Sequence, residues 1–246
     1  MTEVNHRIVE TNGIRMHLAE QGTGPLVLLC HGFPESWYSW RHQLGALAEA
    51  GFHAVAPDMR GYGQTDHPRE IDQYTLLHLV GDMVGLLDVL GADEAVIAGH
   101  DWGAPVAWHS ALLRPDRFRG VIGLSVPFRP RGQVRPTTVM PQTDDAVFYQ
   151  LYFQTPGVAE AEFERDLRLT FRSILFSVSA DALNPMHKEN RARVTDNLNE
   201  FGIGKKFIQN IGMRLGSWRF FHPAGAVPPV RPKHGAISAN HFRKQQ

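Results

Sequence analysis

Polar and apolar positions over residues 7–20 read as two short strands around Asn12-Gly13, a strong signal for a hairpin turn. Pro25 to Cys30 is then a continuous apolar run, as expected of a strand covered on both faces of a sheet. The spacing predicts a helix from Trp37 to Ala50, ending at Gly51, a residue type suited to the left-handed position after a helix. His53 to Pro57 reads as a second buried strand. From Tyr74 to Leu90 the apolar residues Leu76, Leu77, Val80, Val84, Leu87 and Leu90 form a helical stripe that Gly91 stops. A third strand is predicted at Ala95–Ala98, a helix at Ala104–Leu113 and a fourth strand at Gly120–Val126. Strands alternating with helices build a mostly parallel, doubly wound α/β sheet with helices on both faces.

After Pro127 the pattern changes. Pro127, Pro130, Pro136 and Pro141 punctuate a loop, and helical spacing resumes at Phe148–Phe153 and Glu160–Phe176. The chain is therefore read in three parts: an α/β core over residues 1–130, an inserted helical segment over 131–200 lying across it, and an atypical tail over 201–246. The tail has no Asp or Glu but eight Lys or Arg. The first 200 residues hold all 25 acids and the remaining 17 of 25 bases, a net of −8 against +8 in the tail. Four prolines (Pro223, Pro228, Pro229 and Pro232) argue against regular structure there.

Composition narrows the class. The 246 residues are 43% hydrophobic with zero formal net charge, so nothing in the total points to nucleic acid or an anionic membrane surface. No apolar stretch approaches the roughly 18 residues a membrane span needs. The first residues carry no apolar core of a secretion signal. The single cysteine, Cys30, cannot form an internal disulfide and suits a reducing cytoplasm. No phosphate-cradling glycine loop and no His/Cys ligand cluster is present, so no cofactor or metal is expected.

The chemistry centres on Gly99-His100-Asp101-Trp102-Gly103, between a predicted strand and a predicted helix, the context of a nucleophile elbow. Glycines flank such a turn because it is tight and packs closely, and it lifts the central residue at the carboxyl edge of the sheet, where open α/β folds bind ligands. A carboxylate at the centre is ionised at neutral pH and needs no base for a first attack. It suits displacement at saturated carbon, giving an alkyl ester. An Asp here also fits a plain helix cap. His31-Gly32-Phe33-Pro34, after the first buried strand, stands where such folds build half of an oxyanion hole, the backbone N–H groups of Phe33 and Trp102 aimed at one oxygen.

With His31-Gly-Phe-Pro-Glu-Ser-Trp-Tyr-Ser-Trp40, Asp58-x-Arg60-Gly61-x-Gly63, Gly99-His-Asp-Trp-Gly103 and Phe148-Tyr-Gln-Leu-Tyr-Phe-Gln154 in order, the chain resembles α/β-hydrolase-fold epoxide hydrolases over roughly residues 5–180. The resemblance implies an α/β-hydrolase core with a helical lid and a small apolar epoxide as substrate. It implies Asp101 as attacking carboxylate and Tyr149 as proton donor to the opening oxygen. Phe33 and Trp102 become the oxyanion donors. Trp37 and Tyr152 become substrate-binding residues, while Phe33 and Trp40 add apolar lining and His100 is structural. The family also needs a second lid tyrosine, a late acid and a histidine that activates water. No tyrosine follows Tyr152, no acid follows Glu200, and His222, His234 and His241 lack the setting of a strand-end base. The late strand–helix pairs likewise have no counterpart in the pattern. The expectation is a truncated or altered family member with impaired turnover. The alternatives are a haloalkane dehalogenase-like hydrolase, which also uses an elbow Asp, or a non-catalytic binding protein or unstable fragment.

Overall fold

The computed structural model describes residues 3–143, 146–177, 179 and 219–221. Its strands are β1 (Asn5–Thr11), β2 (Ile14–Gln21), β3 (Leu26–Cys30), β4 (His53–Pro57), β5 (Ala95–His100), β6 (Phe118–Leu124), β7 (Gln142–Thr143), β8 (Ala146–Val147) and β9 (Arg219–Phe221). Its helices are α1 (Arg41–Glu49), α2 (Leu76–Leu90), α3 (Gly103–Leu113), α4 (Tyr149–Tyr152), α5 (Val158–Phe163) and α6 (Leu167–Ser177). Seven strands form one sheet in the order β1-β2-β4-β3-β5-β6-β9. The pairs β4–β3, β3–β5 and β5–β6 are parallel, and the hairpin β1–β2 joins antiparallel at one edge. The hairpin turn is Asn12-Gly13, with φ of 44° and 77°, the positive values that a two-residue turn matched to strand twist requires.

Alternation along the buried strands divides the core into two layers. Leu26, Leu28 and Cys30 of β3 face one cluster with Ile97, Met83, Leu86 and Phe118, where α2 and α3 pack. Val27 and Leu29 face the other, with Ala54, Ala98 and Leu44 of α1. Cys30 is fully buried with Sγ 3.4 Å from Met83 Sδ, and burial pushes its thiol up to about 12. Helix α2 begins at Thr75, whose Oγ1 accepts from the His78 amide, and ends at Gly91 at φ 65°. The buried Arg60 donates through Nε to Asp82 Oδ2 at 2.9 Å and through Nη2 to Asn12 O at 3.2 Å, tying the hairpin turn to α2.

The structure departs from the sequence reading in three places. The helix expected from Trp37 to Ala50 opens as a separate 3-10 turn, Trp37–Trp40, before α1 begins. Ser36 Oγ accepts from the Tyr38 amide and Asp58 Oδ1 accepts from the Trp37 amide, so side chains take the first amides and hold a tighter turn. The helix expected over Glu160–Phe176 is two helices, because Asp166 Oδ1 accepts from Leu169 N at 2.9 Å and caps a new start. The tail contributes a strand, β9, paired antiparallel with β6 through Val121–Phe221, Ile122–Phe220 and Gly123–Arg219. Three residues are too few for alternation to betray. The Pro-rich stretch 223–235 and the histidines 222, 234 and 241 lie outside the described residues.

The chain divides into two units, Met1–Val126 with Trp218–Gln246 and Pro127–Ser217. In the second, β7 and β8 form a short antiparallel pair and α4, α5 and α6 follow in order.

Candidate active site

Strand β5 runs to His100, Asp101 turns, and α3 starts at Gly103. Asp101 sits at φ 50°, a left-handed conformation that Asp tolerates better than most residues but that still costs about 1 kcal/mol or more. Its own backbone is pinned on both sides: its N–H donates to Leu124 O at 3.2 Å and its carbonyl accepts from Ala104 N at 3.0 Å. The two flanking glycines are required by space. A Cβ on Gly99 would run into the Gly103 carbonyl, and one on Gly103 into the Cys30 carbonyl. The turn therefore exists because β5, α3 and the end of β3 approach more closely than any side chain permits.

Facing it is the loop after β3. The Phe33 amide donates to Asp101 Oδ1 at 3.0 Å. A Cβ on Gly32 would lie 2.5 Å from Asp101 Cβ, so a glycine there lets the loop close over the carboxylate. Several groups hold that loop. His31 Nδ1 lies 2.8 Å from Gly32 O and its Nε2 accepts from the Met59 amide at 2.9 Å. A carbonyl on one side and an N–H on the other select the neutral ring with the proton on Nδ1. Burial lowers its pKa from the ordinary 6.5, against the opposing pull of the Gly32 carbonyl, Asp58 and Glu35. Asp58, at the end of β4, receives the Trp37 and Gln64 amides and pairs with the buried His17 at 2.8 Å. The Phe33–Pro34 peptide is cis.

Glu35 completes the clasp. One carboxylate accepts from the Gly32 amide at 3.1 Å and meets His100 Nδ1 at 3.1 Å, joining the loop after β3 to the residue before Asp101. Burial pushes Glu35 up, but the bond and charge of His100, the Gly32 amide and Ser39 outweigh it, so its pKa is lowered. The bond to Glu35 raises His100, against burial and with the further pull of the Glu35 and Asp101 charges. Tyr62, stacked edge-on to His31 at 4.9 Å, is pushed up to about 12 by burial and by the Asp101 and Glu35 charges, so it stays neutral.

The pair has a defined pH signature. His100, raised, adds stability that is complete below its ordinary 6.5 and is lost as pH climbs through its higher folded value. Glu35, lowered, adds stability present above its ordinary 4.5 and lost as pH falls through its lower folded value. Both contributions coincide between those two ordinary values. The difference in melting midpoint between the unaltered chain and His100→Gln is expected to be largest near pH 5.5, midway in that window, and to shrink as pH climbs through the raised folded value of His100. A difference independent of pH would mean that His100 packs there uncharged.

The structure thus brings Asp101 and the Phe33 amide together and places Trp102, 44% exposed, as the residue at the head of α3. The Trp37 ring, partly buried, stands edge-on to His6 and Tyr38 and packs against the Ala19–Leu29 cluster. Trp40 is 7% exposed and belongs to the same cluster. Tyr149 and Tyr152 lie on α4 of the second unit. The Tyr152 hydroxyl donates to the Glu162 carboxylate, and burial followed by Glu162 pushes the phenol up to about 12. Sequence reasoning passed over Glu35 and set His100 aside as structural. The available signal was an acid three residues past Gly32 and a base one residue before Asp101, each inside a recognised motif.

A cavity of about 550 Å³ lies on the α1 face, walled by Leu29, Ala98, Ile122, Leu124 and Trp40 together with Glu35 and His100. Asp101 does not line it, so it is not the seat of the carboxylate's chemistry. No group of three or more His, Cys, Asp or Glu among the described residues could hold a metal ion, and no described helix is long and apolar enough to cross a membrane.

A parallel sheet wound on both faces, with an acidic residue raised between strand and helix under a backbone N–H, is the architecture of an α/β hydrolase. The α/β hydrolase fold family matches residues 25–200, and the chain belongs to that family. Among curated proteins it is 52% identical over 166 residues to epoxide hydrolase 3 of Siraitia grosvenorii, covering 66% of this chain and 52% of that protein. It is 50% identical over 172 residues to epoxide hydrolase A of Mycobacterium tuberculosis, covering 69% and 53%. Among solved structures, an epoxide hydrolase from an endophytic Streptomyces matches with a TM-score of 0.71 and 53% identity over 75% of this chain and 56% of that one. The chain spans about half the length of the curated relatives it matches.

Proposed function

We propose that this chain carries the ester-forming half of an epoxide hydrolase, with Asp101 as nucleophile on an elbow turn. The observation that carries the reading is the Phe33 amide on Asp101 Oδ1 at 3.0 Å, with Asp101 held at positive φ. One carboxylate oxygen is fixed by a backbone donor while Oδ2 is the oxygen that attacks. The relatives' names supply the substrate class: at about 50% identity they are epoxide hydrolases.

In the proposed step Asp101 Oδ2 forms a bond to an epoxide carbon and the ring C–O bond breaks. The released electron pair stays on the ring oxygen, which takes the phenol proton of Tyr149, leaving a hydroxyalkyl ester and a phenolate that regains its proton from solvent. A neutral phenol is present at pH 7, and its bond to the oxygen strengthens as alkoxide charge develops, so it lowers the barrier rather than merely binding substrate. Phe33 N–H, with that of Trp102, then faces the oxygen that becomes the ester carbonyl, where an oxyanion forms when the ester is hydrolysed. Residues 131–200 serve as the lid that carries Tyr149, and the substrate is a small, largely apolar epoxide. A haloalkane would meet the same carboxylate, but ring opening generates an oxygen that needs a proton, which is what a lid phenol supplies.

Intact-mass measurement after incubation with a styrene oxide tests this. The expected result is a gain of one substrate per chain, mapped by peptide analysis to Asp101. Modification at another residue, or a covalent adduct from a haloalkane and none from the epoxide, would replace this reading.

A further inference from the structure

We infer that Gln150 is a positioning residue for the proton donor, holding Tyr149 by an N–H bond to its phenol oxygen; this rests on Tyr149 being the acid of the proposed ring opening. Gln150 Nε2 donates to Tyr149 Oη at 3.1 Å. The two are sequence neighbours on a helix of only four residues, so their side chains leave the backbone about 100° apart and the amide must fold back to reach the phenol. That short helix is itself finished by a second glutamine: Gln154 Nε2 donates to the Gln150 carbonyl at 2.9 Å, taking up an end carbonyl that α4 is too short to satisfy. The phenol ring is clasped by Phe148 at 4.8 Å and by Phe153, edge-on, at 5.7 Å.

The direction of the bond decides its effect. With Oη accepting from an amide, the phenol proton is directed to another partner, and the negative charge that appears on Oη as the proton leaves meets a donor already in place. The amide cannot itself be deprotonated and adds no competing acid. Tyr152, three residues on, shows the contrast. Its hydroxyl donates to the Glu162 carboxylate, which opposes charge on the phenol and anchors it to α5, whereas Tyr149 Oη accepts from an amide N–H that favours such charge.

The test is the rate of ester formation with a styrene oxide, followed by intact mass in the full 246-residue chain. Gln150→Met keeps the length of the side chain without a donor and is expected to slow the step about tenfold to a hundredfold, the scale of losing one donor to developing charge. Gln150→Glu, with an anion against the phenol, is expected to be slower than Gln150→Met. In a Tyr149→Phe background, Gln150→Met is expected to cause no further loss. Equal or faster reaction of Gln150→Met, or a full additional loss without the phenol, overturns the inference while leaving the Asp101 reading intact. Labelling away from Asp101, or Tyr149→Phe reacting at the unaltered rate, instead removes the reading beneath it and the inference with it. An independent measurement needs no reaction. The Gln150 side-chain amide resonance, assigned by its loss in Gln150→Met, is expected to move upfield in Tyr149→Phe as its acceptor disappears. An unmoved resonance overturns the hydrogen bond directly.

Discussion

Asp101→Ala is expected to show no covalent labelling by an epoxide on any timescale on which the unaltered chain is labelled. Among the described residues, no other carboxylate stands on a strand-to-helix turn with a backbone donor on one oxygen. Glu35, on the loop facing Asp101, has its carboxylate engaged by Gly32 and His100. The loss is therefore all or none, larger than any effect of removing a donor, because the bond-forming atom itself is gone. Folding separates cause from collapse. Alanine tolerates the φ of 50° less well than Asp, so the variant is expected to melt a few degrees lower, by roughly 1 kcal/mol of added strain. Asp101→Asn, which tolerates that conformation, is expected to melt like the parent and still fail to label at early times. Labelling of both variants at the parent's rate would show that the nucleophile lies elsewhere.

The core was legible in the sequence because its physics is local. A both-face-buried strand must be apolar throughout, and Leu26–Cys30 and residues 54–57 are; a hairpin needs two positive-φ residues, and Asn12-Gly13 supplies them. Asp101, Phe33 and the crowded glycines were legible for the same reason, since close approach of backbones leaves small residues behind. The clasp of Glu35 on His100 was not, because it joins positions 65 apart and neither side chain breaks any local rule. The split at Asp166 was missed by following apolar spacing across a cap signal, and the edge strand Arg219–Phe221 exists only through its pairing with β6.

A second large effect concerns turnover. In the 246-residue chain, epoxide consumption is expected to stop near one equivalent per chain, held as the ester. In the proposed mechanism, ester formation draws on Asp101, two backbone donors and Tyr149, all within the first 155 residues. Ester hydrolysis needs a base on water, since neutral water attacks a carboxylic ester poorly. No Asp or Glu follows Glu200 in the sequence to orient a late histidine as such a base. Losing one oxyanion donor costs about 10²–10³ in rate, and losing a base with its orienting acid costs at least that. A time course of epoxide consumption and diol release with a styrene oxide decides the matter. Steady diol release over many equivalents would reveal a base in this chain; consumption that ends near one equivalent, with the adduct retained and little diol released, agrees with its absence.

Cys30 gives the molecule an internal clock. It is the sole thiol, fully buried at the end of the strand that pairs with both β4 and β5, and its proton is held up to about 12. Since only the thiolate reacts, a disulfide reagent can reach it only when the centre of the sheet parts. Its modification rate in increasing urea is therefore expected to track the global unfolding transition, whereas a rate indifferent to urea would mean that the central strands open without the rest. Every batch of this protein can be timed by its own sulfur, with no label added and no residue changed.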